Sequence, residues 1–588
     1  MNTDLTYPID GWNKWYKGFG WLLGAAIMVN AGALFIPILE PDGALYATIA
    51  RSMAQAGDFI DLRVGGSDWL DKPHFPFWVA ALSFRAFGIN SFAYKFPALL
   101  FWAAGGYYTW RLALVLYGRS VARFAVLIYV SAAHLVISNN DVRAEPYLTG
   151  LIAGAVYHFF RASRNRSKGG GLHIVAGSAL AACATMTKGP FVLVTIGAGL
   201  LVDCVRTRDW RQFLLPRWWL ALVLIAIFIS PELYCLYRQF DMHPEKLIFG
   251  RQNVSGIRWF LWDSQFGRFM NNGPIRGSGN PFFFLHTLLW AFAPWSILLY
   301  YAIVHKSCKW RVANRAPVPG DFLCLGAALI SFSMFSLSKF QLPHYLNILF
   351  PFFSILTAEK LDHLEGQVSR RAFTMIQNGI ALLTAILLCE LAWWFHFTAY
   401  KGLIVLLLAL SGLAAFLVSP RMKMDKGAVG KLQTAVMRSF WLALIAYAFL
   451  NFCLYPAMMH YQAGMVAGKS LRSRDGIPPQ EVYMLREAPS NYSFTFYCPG
   501  TIRYLPMDSL RINAGAGPVW VFLSSTYMDS LRSRGYNIQA LRRFPNFHVS
   551  GLTAGFFDWR TRPHALDAWF LIKLGDSSGG ASRDQVSK

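Results

Sequence analysis

Charge is scarce in this chain, and negative charge is scarcest. Only 15% of the 588 residues are charged, with 31 Asp and Glu against 55 Lys and Arg, while 55% are hydrophobic and 16% aromatic. An ordinary soluble enzyme carries about a quarter charged residues, so that class is excluded. Paired cysteines are missing as well. The eight cysteines are scattered, and only Cys498 lies in the C-terminal region, so no disulfide can close within that region. No CxxC-type spacing suggests a metal. The polar start MNTDLTYPIDGWNKWYKGFG lacks a small-residue cleavage site, so the first apolar run reads as a permanent helix rather than a removable signal. There is no internal repeat and no Gly-rich phosphate cradle.

What is present is a succession of apolar runs, each close to the roughly 20 residues that cross a bilayer as a helix. Thirteen are expected, at about 19–39, 93–116, 121–138, 147–162, 171–186, 189–205, 218–238, 281–304, 321–338, 345–358, 372–396, 401–419 and 437–455. The net charge of +24 would point to nucleic acid in a soluble protein. Here the basic residues gather in alternate short loops: Arg119/Arg123, Arg161–Lys168, Arg206–Arg217, Lys306–Arg315, Lys360–Arg371 and Arg421–Lys431, with Lys14 and Lys17 on the same side. The positive-inside rule makes that side cytoplasmic. Residues 1–18 are then cytoplasmic, 19–455 form a polytopic domain, and 456–588 lie outside.

The outward segments are where chemistry can reside. The loop 40–92 carries Asp42, Asp58, Asp61, Asp68 and Asp71 with Arg51, Arg63 and Lys72, and two amphipathic stretches, Ala44–Ala56 and Phe75–Phe87, read as helices along the membrane surface. Asn139–Pro146 is a short polar turn holding Arg143 and Glu145; 239–280 is rich in Arg, Trp and Phe and includes Arg268; Ser338–Tyr345 contains Lys339. Nucleotide-activated donors are absent outside the cytoplasm, so an activated group must arrive on a lipid. A lipid phosphate calls for interfacial cations, supplied by Lys72, Arg143, Arg268 and Lys339. A hydroxyl nucleophile calls for a carboxylate, and Asp42 and Glu145 are the candidates. Simpler roles stand beside these. Asp42 fits a helix N-cap, Lys72 a snorkelling lysine, Arg143 and Glu145 a solvated turn, Lys339 an end-of-helix cation, and His74 and His344 packing residues.

In order along the chain, these segments resemble the GT-C type lipid-linked sugar transferases, nearest the bacterial lipid A aminoarabinose transferases and the protein O-mannosyltransferase-like group. The family pattern PDETRYAEI corresponds to Pro41-Asp42-Gly43-Ala44-Leu45-Tyr46-Ala47-Thr48-Ile49, and the FEKPP motif to Trp69-Leu70-Asp71-Lys72-Pro73-His74. Arg143-Ala144-Glu145-Pro146, Met186-Thr187-Lys188-Gly189-Pro190, Asp263–Phe269, Pro294-Trp295 and Ser336–Tyr345 match further motifs, and the resemblance covers about residues 30–355. It implies Asp42 as the main acceptor-orienting carboxylate and Glu145 as the second acid. Lys72 becomes a donor-phosphate contact, and Tyr46, Asp71, Pro73, Lys339 and Tyr345 line the donor or acceptor cavity. Four positions depart: Leu45 replaces a cation, Gly43 an acid, Asp71 shortens a Glu, and Ser278 stands where the family has a histidine, so a divalent metal is open to the family but not supported by this sequence, and no other cofactor is called for.

The expected architecture is thus an α-helical membrane protein of about thirteen transmembrane helices with the GT-C fold, two surface helices in its first outer loop, and a small extracytoplasmic α/β domain. In that outer domain Trp520–Leu523 and Ala568–Ile572 read as strands. The expected activity is inverting transfer of a sugar from a polyprenyl phosphate to a glycolipid, glycan or protein acceptor, in the plasma (inner) membrane and without nucleic acid. The alternative is a transporter or flippase of a lipid-linked sugar, for which ionisable residues deep in the bilayer and repeated broken helices would be the signature. The loop charges generate a topology prediction. A reporter fused after Tyr461 should be active only outside the cytoplasm, and one at Ser167 only inside; the reverse pattern at both sites would remove the catalytic loops from the outer face.

Overall fold

In hydrocarbon every backbone polar group must find its partner within the protein, so long apolar runs have to coil into helices. The structure, a computed structural model, describes residues 19–164, 170–312, 318–364, 367–396, 428–473, 482–510, 519–549 and 551–575. The first ten α-helices are α1 Phe19–Ala31, α2 Asp42–Ala56, α3 Phe75–Phe87, α4 Ser91–Tyr117, α5 Arg119–Val130, α6 Ala133–Asn140, α7 Glu145–Arg164, α8 Gly170–Lys188, α9 Val192–Thr207 and α10 Pro216–Leu236. The main apolar helices after them are Phe283–Ala291, Ser296–Val312, Leu323–Leu337, Phe350–Asp362, Gln367–Phe395 and Ala428–Phe449. Each expected segment in the described residues carries helix. The segment 401–419, residues 1–18 and the tail from 576 lie outside those residues.

Several segments are less regular than their apolarity suggests. The run 121–138 is two helices, α5 and α6, meeting at 48°. The run 281–304 breaks between Ala291 and Ser296, around Pro294, whose ring cannot continue the hydrogen-bond ladder. Among the described residues four helices are long and apolar enough to cross a membrane by length and composition, or five if α5 and α6 form one span. Others are long but interrupted by polar groups: α4 contains Lys95 and Arg111, and α7 contains Glu145, Arg161 and Arg164. Their neighbours bury these helices. α4 packs on α5 and α7, and α7 on α8, so Lys95 and Glu145 are buried in protein, while Arg111, Arg161 and Arg164 keep part of their surface open.

The C-terminal part holds a five-stranded sheet in the order β4-β3-β5-β7-β6, formed by β3 Val482–Leu485, β4 Arg503–Leu505, β5 Val519–Ser524, β6 Ile538–Asn546 and β7 Asp567–Leu574. β4, β3 and β5 run parallel, while β5, β7 and β6 pair antiparallel. Side chains alternate across it as a strand requires. Phe522 and Leu571 face the helices Ala463–Ser473 and Tyr492–Tyr497, whereas Val521, Leu523 and Ile572 face Ser525–Ser533. A small hairpin, β1 Arg63–Val64 with β2 Ser67–Asp68, lies in the segment between α2 and α3.

The helix α2 differs from a free surface helix: most of it is buried, against α3 and against the helix Tyr492–Tyr497 of the sheet domain. Glu40, just before α2, accepts from the backbone N–H of Tyr492 (2.6 Å) and Ser493 (2.8 Å), the open N-terminus of helix Tyr492–Tyr497. At the other end Arg51 donates to the carbonyls of Thr495 (2.6 Å), Phe496 (2.8 Å), Cys498 (2.9 Å) and Gly500 (3.0 Å). The Glu40 carboxyl group just before α2 and the Arg51 guanidinium within it therefore satisfy both orphan ends of one small helix. The Tyr497 hydroxyl adds to the attachment by accepting from Ile38 N at 2.8 Å. Replacing Arg51 by Ala strands these carbonyls and should cost about 3 kcal/mol of domain attachment. Arg51→Lys should keep part of it. Thermal unfolding in detergent reads the difference, and an Arg51→Ala protein that melts with the wild type would leave the clamp without energetic weight.

Candidate active site

Asp42 opens α2, in the first helical turn where the dipole favours a carboxylate. The N-cap is Pro41 and makes no side-chain cap bond, so Asp42 does not serve as the cap. Its carboxylate instead meets Arg143 Nη1 at 2.7 Å. Arg143 comes from the turn between α6 and α7 and also donates to Asp141 Oδ2 from Nη2 (2.7 Å) and Nε (2.9 Å). Two carboxylates thus share one guanidinium. Gly43 permits this approach, since a Cβ there would stand 3.0 Å from Asp141 Oδ1. Burial raises the Asp141 carboxyl above its ordinary pKa, with Arg143 opposing. Asp42 stays accessible, its side chain 41% exposed.

Glu145, the first residue of α7, is sealed. Its side chain is 2% exposed, it forms an ion pair with Lys188 at the end of α8, and His344 Nε2 lies 3.7 Å away. Lys188 Nζ also stands 3.9 Å over the Tyr345 ring. A third group centres on Asp71, which accepts from Lys72 Nζ at 2.6 Å and pairs with Arg268. Burial pushes the Asp71 carboxyl up, but the Lys72 and Arg268 charges outweigh it and hold it below its ordinary value. Burial lowers Lys72 to about 8 against the pull of Asp71, and Arg268 and Lys188 lower it further. Two cations on one carboxylate leave one net positive charge, held out of water.

Tyr46 links the groups. It is packed edge-on against Trp69 and Phe77 (centroids 6.1 and 5.3 Å), and burial followed by the Asp71, Asp42 and Glu145 charges keeps its hydroxyl well above its ordinary pKa. Pro73 is buried beside it. His74 is a structural residue, bound to Glu232 by Nδ1 (2.9 Å) and to the Ile60 carbonyl by Nε2 (2.8 Å). Next to this constellation lies a cavity of about 100 Å³ lined by Lys188, Gln265, Arg268, Phe335, Phe340 and Tyr345. Lys339 stands apart. Its backbone N donates to Phe269 at 3.2 Å, its side chain is exposed, and it is bonded to no other side chain among the described residues. Among those residues no group of three or more His, Cys, Asp or Glu is arranged to hold a metal ion.

Sequence reasoning passed over three participants. Lys188 sits in a motif but at the end of an apolar run, where a cation looks like a snorkelling residue. His344 had only its neighbourhood to mark it. Asp141 lies in the polar turn that was singled out, yet nothing local tells that it shares Arg143 with Asp42.

With this geometry in view, the comparisons with known proteins fall into one group. The profile described as dolichyl-phosphate-mannose-protein mannosyltransferase matches residues 71–235. An undecaprenyl phosphate-alpha-4-amino-4-deoxy-L-arabinose arabinosyl transferase of Edwardsiella ictaluri is 29% identical over 409 residues, 68% of this chain and 65% of that protein. The transferase of the same name from Pseudomonas aeruginosa is 26% identical over 360 residues, 60% of this chain and 61% of its own length. The matches thus take in a little under two thirds of these relatives. The crystal structure of ArnT from Cupriavidus metallidurans bound to undecaprenyl phosphate superimposes with a TM-score of 0.71 at 17% identity, covering 95% of this chain and 98% of that one. The chain has the GT-C membrane fold and resembles the lipid-linked glycosyltransferases in sequence.

The buried Glu145–Lys188 pair is the site's most stringent test of electrostatics. Breaking one partner of such a pair costs about 3–5 kcal/mol, because the other is left buried and uncompensated. Lys188→Met should therefore destabilise the protein by that order, and adding Glu145→Gln should recover most of the loss. Thermal unfolding of the single and double variants measures this, and a neutral Lys188→Met would contradict the pairing.

Proposed function

We propose that this multi-pass membrane protein is an inverting glycosyltransferase, which moves a sugar from a polyprenyl-phosphate donor to an acceptor hydroxyl at the outer face of the inner membrane. The relatives suggest an undecaprenyl-phosphate aminoarabinose-like donor, and lipid A or a related glycolipid as acceptor. Residues 1–18 lie in the cytoplasm, 19–455 form the catalytic domain of about thirteen spans, and 456–588 form the small outer domain. The observation that carries this reading is the division of charge beside the cavity. Asp42 is an accessible carboxylate, Arg268 and Lys188 line the cavity, and Lys72 shares Asp71 with Arg268, so that these cations are only partly neutralised.

The chemistry follows from that division. The acceptor hydroxyl approaches Asp42, which orients it and takes its proton as the oxygen attacks the anomeric carbon. The bond from that carbon to the phosphate oxygen breaks on the opposite face, so configuration inverts. The leaving polyprenyl phosphate needs cations rather than a general acid, and Lys72 and Arg268 supply them. Arg143 fixes Asp42, and Glu145, the second acidic residue, fixes Lys188 at the cavity. Tyr345 lines the cavity, Tyr46, Asp71 and Pro73 support the donor or acceptor side of the site, and Lys339, exposed, is a further cation for the donor phosphate.

Asn keeps the size of Asp and one side-chain oxygen but loses its charge and its role as a base, so Asp42→Asn separates the carboxylate's chemistry from its packing at the start of α2. Loss of a general base lowers the rate by about 10²–10⁴-fold. Mass spectrometry of lipid A incubated with donor and purified enzyme should show that loss, with the variant still folded and inserted. Near-normal turnover would reduce Asp42 to a structural residue.

A further inference from the structure

Basic side chains that the proposed reaction leaves unused gather at the far ends of the same helices. Arg111 of α4 donates from Nη1 to the Tyr107 hydroxyl (3.1 Å) and from Nη2 to the Tyr157 hydroxyl of α7 (2.9 Å). Its guanidinium lies 5.8 and 5.5 Å from the two ring centres. His158 of α7 and His173 of α8 meet Nδ1 to Nδ1 at 2.8 Å, and the Tyr108 hydroxyl lies 3.4 Å from His158 Nε2. Arg161, four residues beyond Tyr157 on α7, falls on the same helix face. Among the described residues none of Arg111, Arg161, His158 and His173 forms an ion pair with a carboxylate; their electrostatic neighbours are each other and tyrosines.

The position of this cluster is set by helix geometry. At about 1.5 Å per residue, His158 lies about 20 Å along α7 from Glu145, and His173 a similar distance along α8 from Lys188. The cluster is therefore across most of the hydrocarbon thickness from the candidate active site. It opens outward between helices: Tyr107 is 49% exposed, Leu172 75% and Val175 44%. A snorkelling arginine would reach freely for water. Arg111 is instead held by hydroxyls from two helices, with further N–H donors unspent and its charge unmatched.

We infer that this cluster binds the phosphate headgroup of an anionic lipid, in the leaflet opposite the candidate active site. Guanidinium groups pair with phosphate oxygens in a fixed fork, tyrosine hydroxyls donate to them, and basic pockets between transmembrane helices suit such headgroups. The phosphate has two sources, a bulk phospholipid or the polyprenyl phosphate carrier. Both share the chemistry that the site recognises.

Native mass spectrometry of the full chain in detergent tests this, with phosphatidylglycerol, phosphatidylcholine and undecaprenyl phosphate added separately. The wild type should retain phosphatidylglycerol, undecaprenyl phosphate or both about ten- to thirtyfold over phosphatidylcholine. Arg111→Gln/Arg161→Gln should lose that excess for phosphatidylglycerol, or one equivalent of undecaprenyl phosphate, and whichever arm responds names the source. Arg208→Gln/Arg211→Gln, in another basic loop, should bind as the wild type does. Arg111→Lys keeps the charge and should retain most binding, which separates lost recognition from misfolding. Equal retention of the anionic and zwitterionic lipids, or equal losses in the control pair, would overturn the site.

Discussion

Charge held out of water has to be matched, and at the lip of a bilayer little water is available to do it. That constraint organises the candidate-site end of this molecule. Asp71 is bracketed by Lys72 and Arg268, Glu145 by Lys188, and Arg143 by Asp42 and Asp141. Each group brings together residues from different helices or loops. The pairs thereby fix α2, the α6–α7 turn, the end of α8 and the 264–270 helix against one another. Packing of apolar helices alone would leave their relative heights undetermined, since a lipid tail is as apolar as a leucine side chain. The same pairs leave Asp42 accessible, while Lys188 and Arg268 line the cavity and Lys72 shares Asp71 with Arg268.

The C-terminal sheet domain extends this logic. Glu40 and Arg51 hold the two ends of helix Tyr492–Tyr497, and Asp42 lies between them on the same stretch of chain. The carboxylate is therefore presented by a helix fixed from above by the sheet domain and from below by Arg143. Burial raises Glu40 to a pKa of about 8 even though two N–H groups donate to it, a measure of how dry this junction is.

Much of this was legible in the sequence where the physics is local. Apolar run length located the helices, and amphipathic spacing placed α2 and α3 close to their ends, because both depend on periodicity alone. Asp42, Lys72 and Glu145 stood out as charges beside spans, where an idle charge is costly. Non-local relations were hidden. Arg143 was read as a phosphate cation, yet two carboxylates already occupy it, one of them about a hundred residues away in α2. The partner carbonyls of Arg51 lie more than four hundred residues distant. Lys188 was masked by its resemblance to a snorkelling lysine. The kink between α5 and α6 left no proline or glycine at Ser131 and Ala132 to announce it.

The central claim is that the buried cations around Asp71 hold a lipid phosphate. Equilibrium binding of undecaprenyl phosphate and of the uncharged polyprenol to the purified protein and to Lys72→Ala tests it most directly. A charge-assisted hydrogen bond contributes about 1.5–3 kcal/mol, so the wild type should prefer the phosphate, and Lys72→Ala should weaken that binding by roughly one to two orders of magnitude. Binding of the polyprenol should be unchanged. Equal affinity of the wild type for both lipids, or a Lys72→Ala protein that binds the phosphate undiminished, would contradict the account.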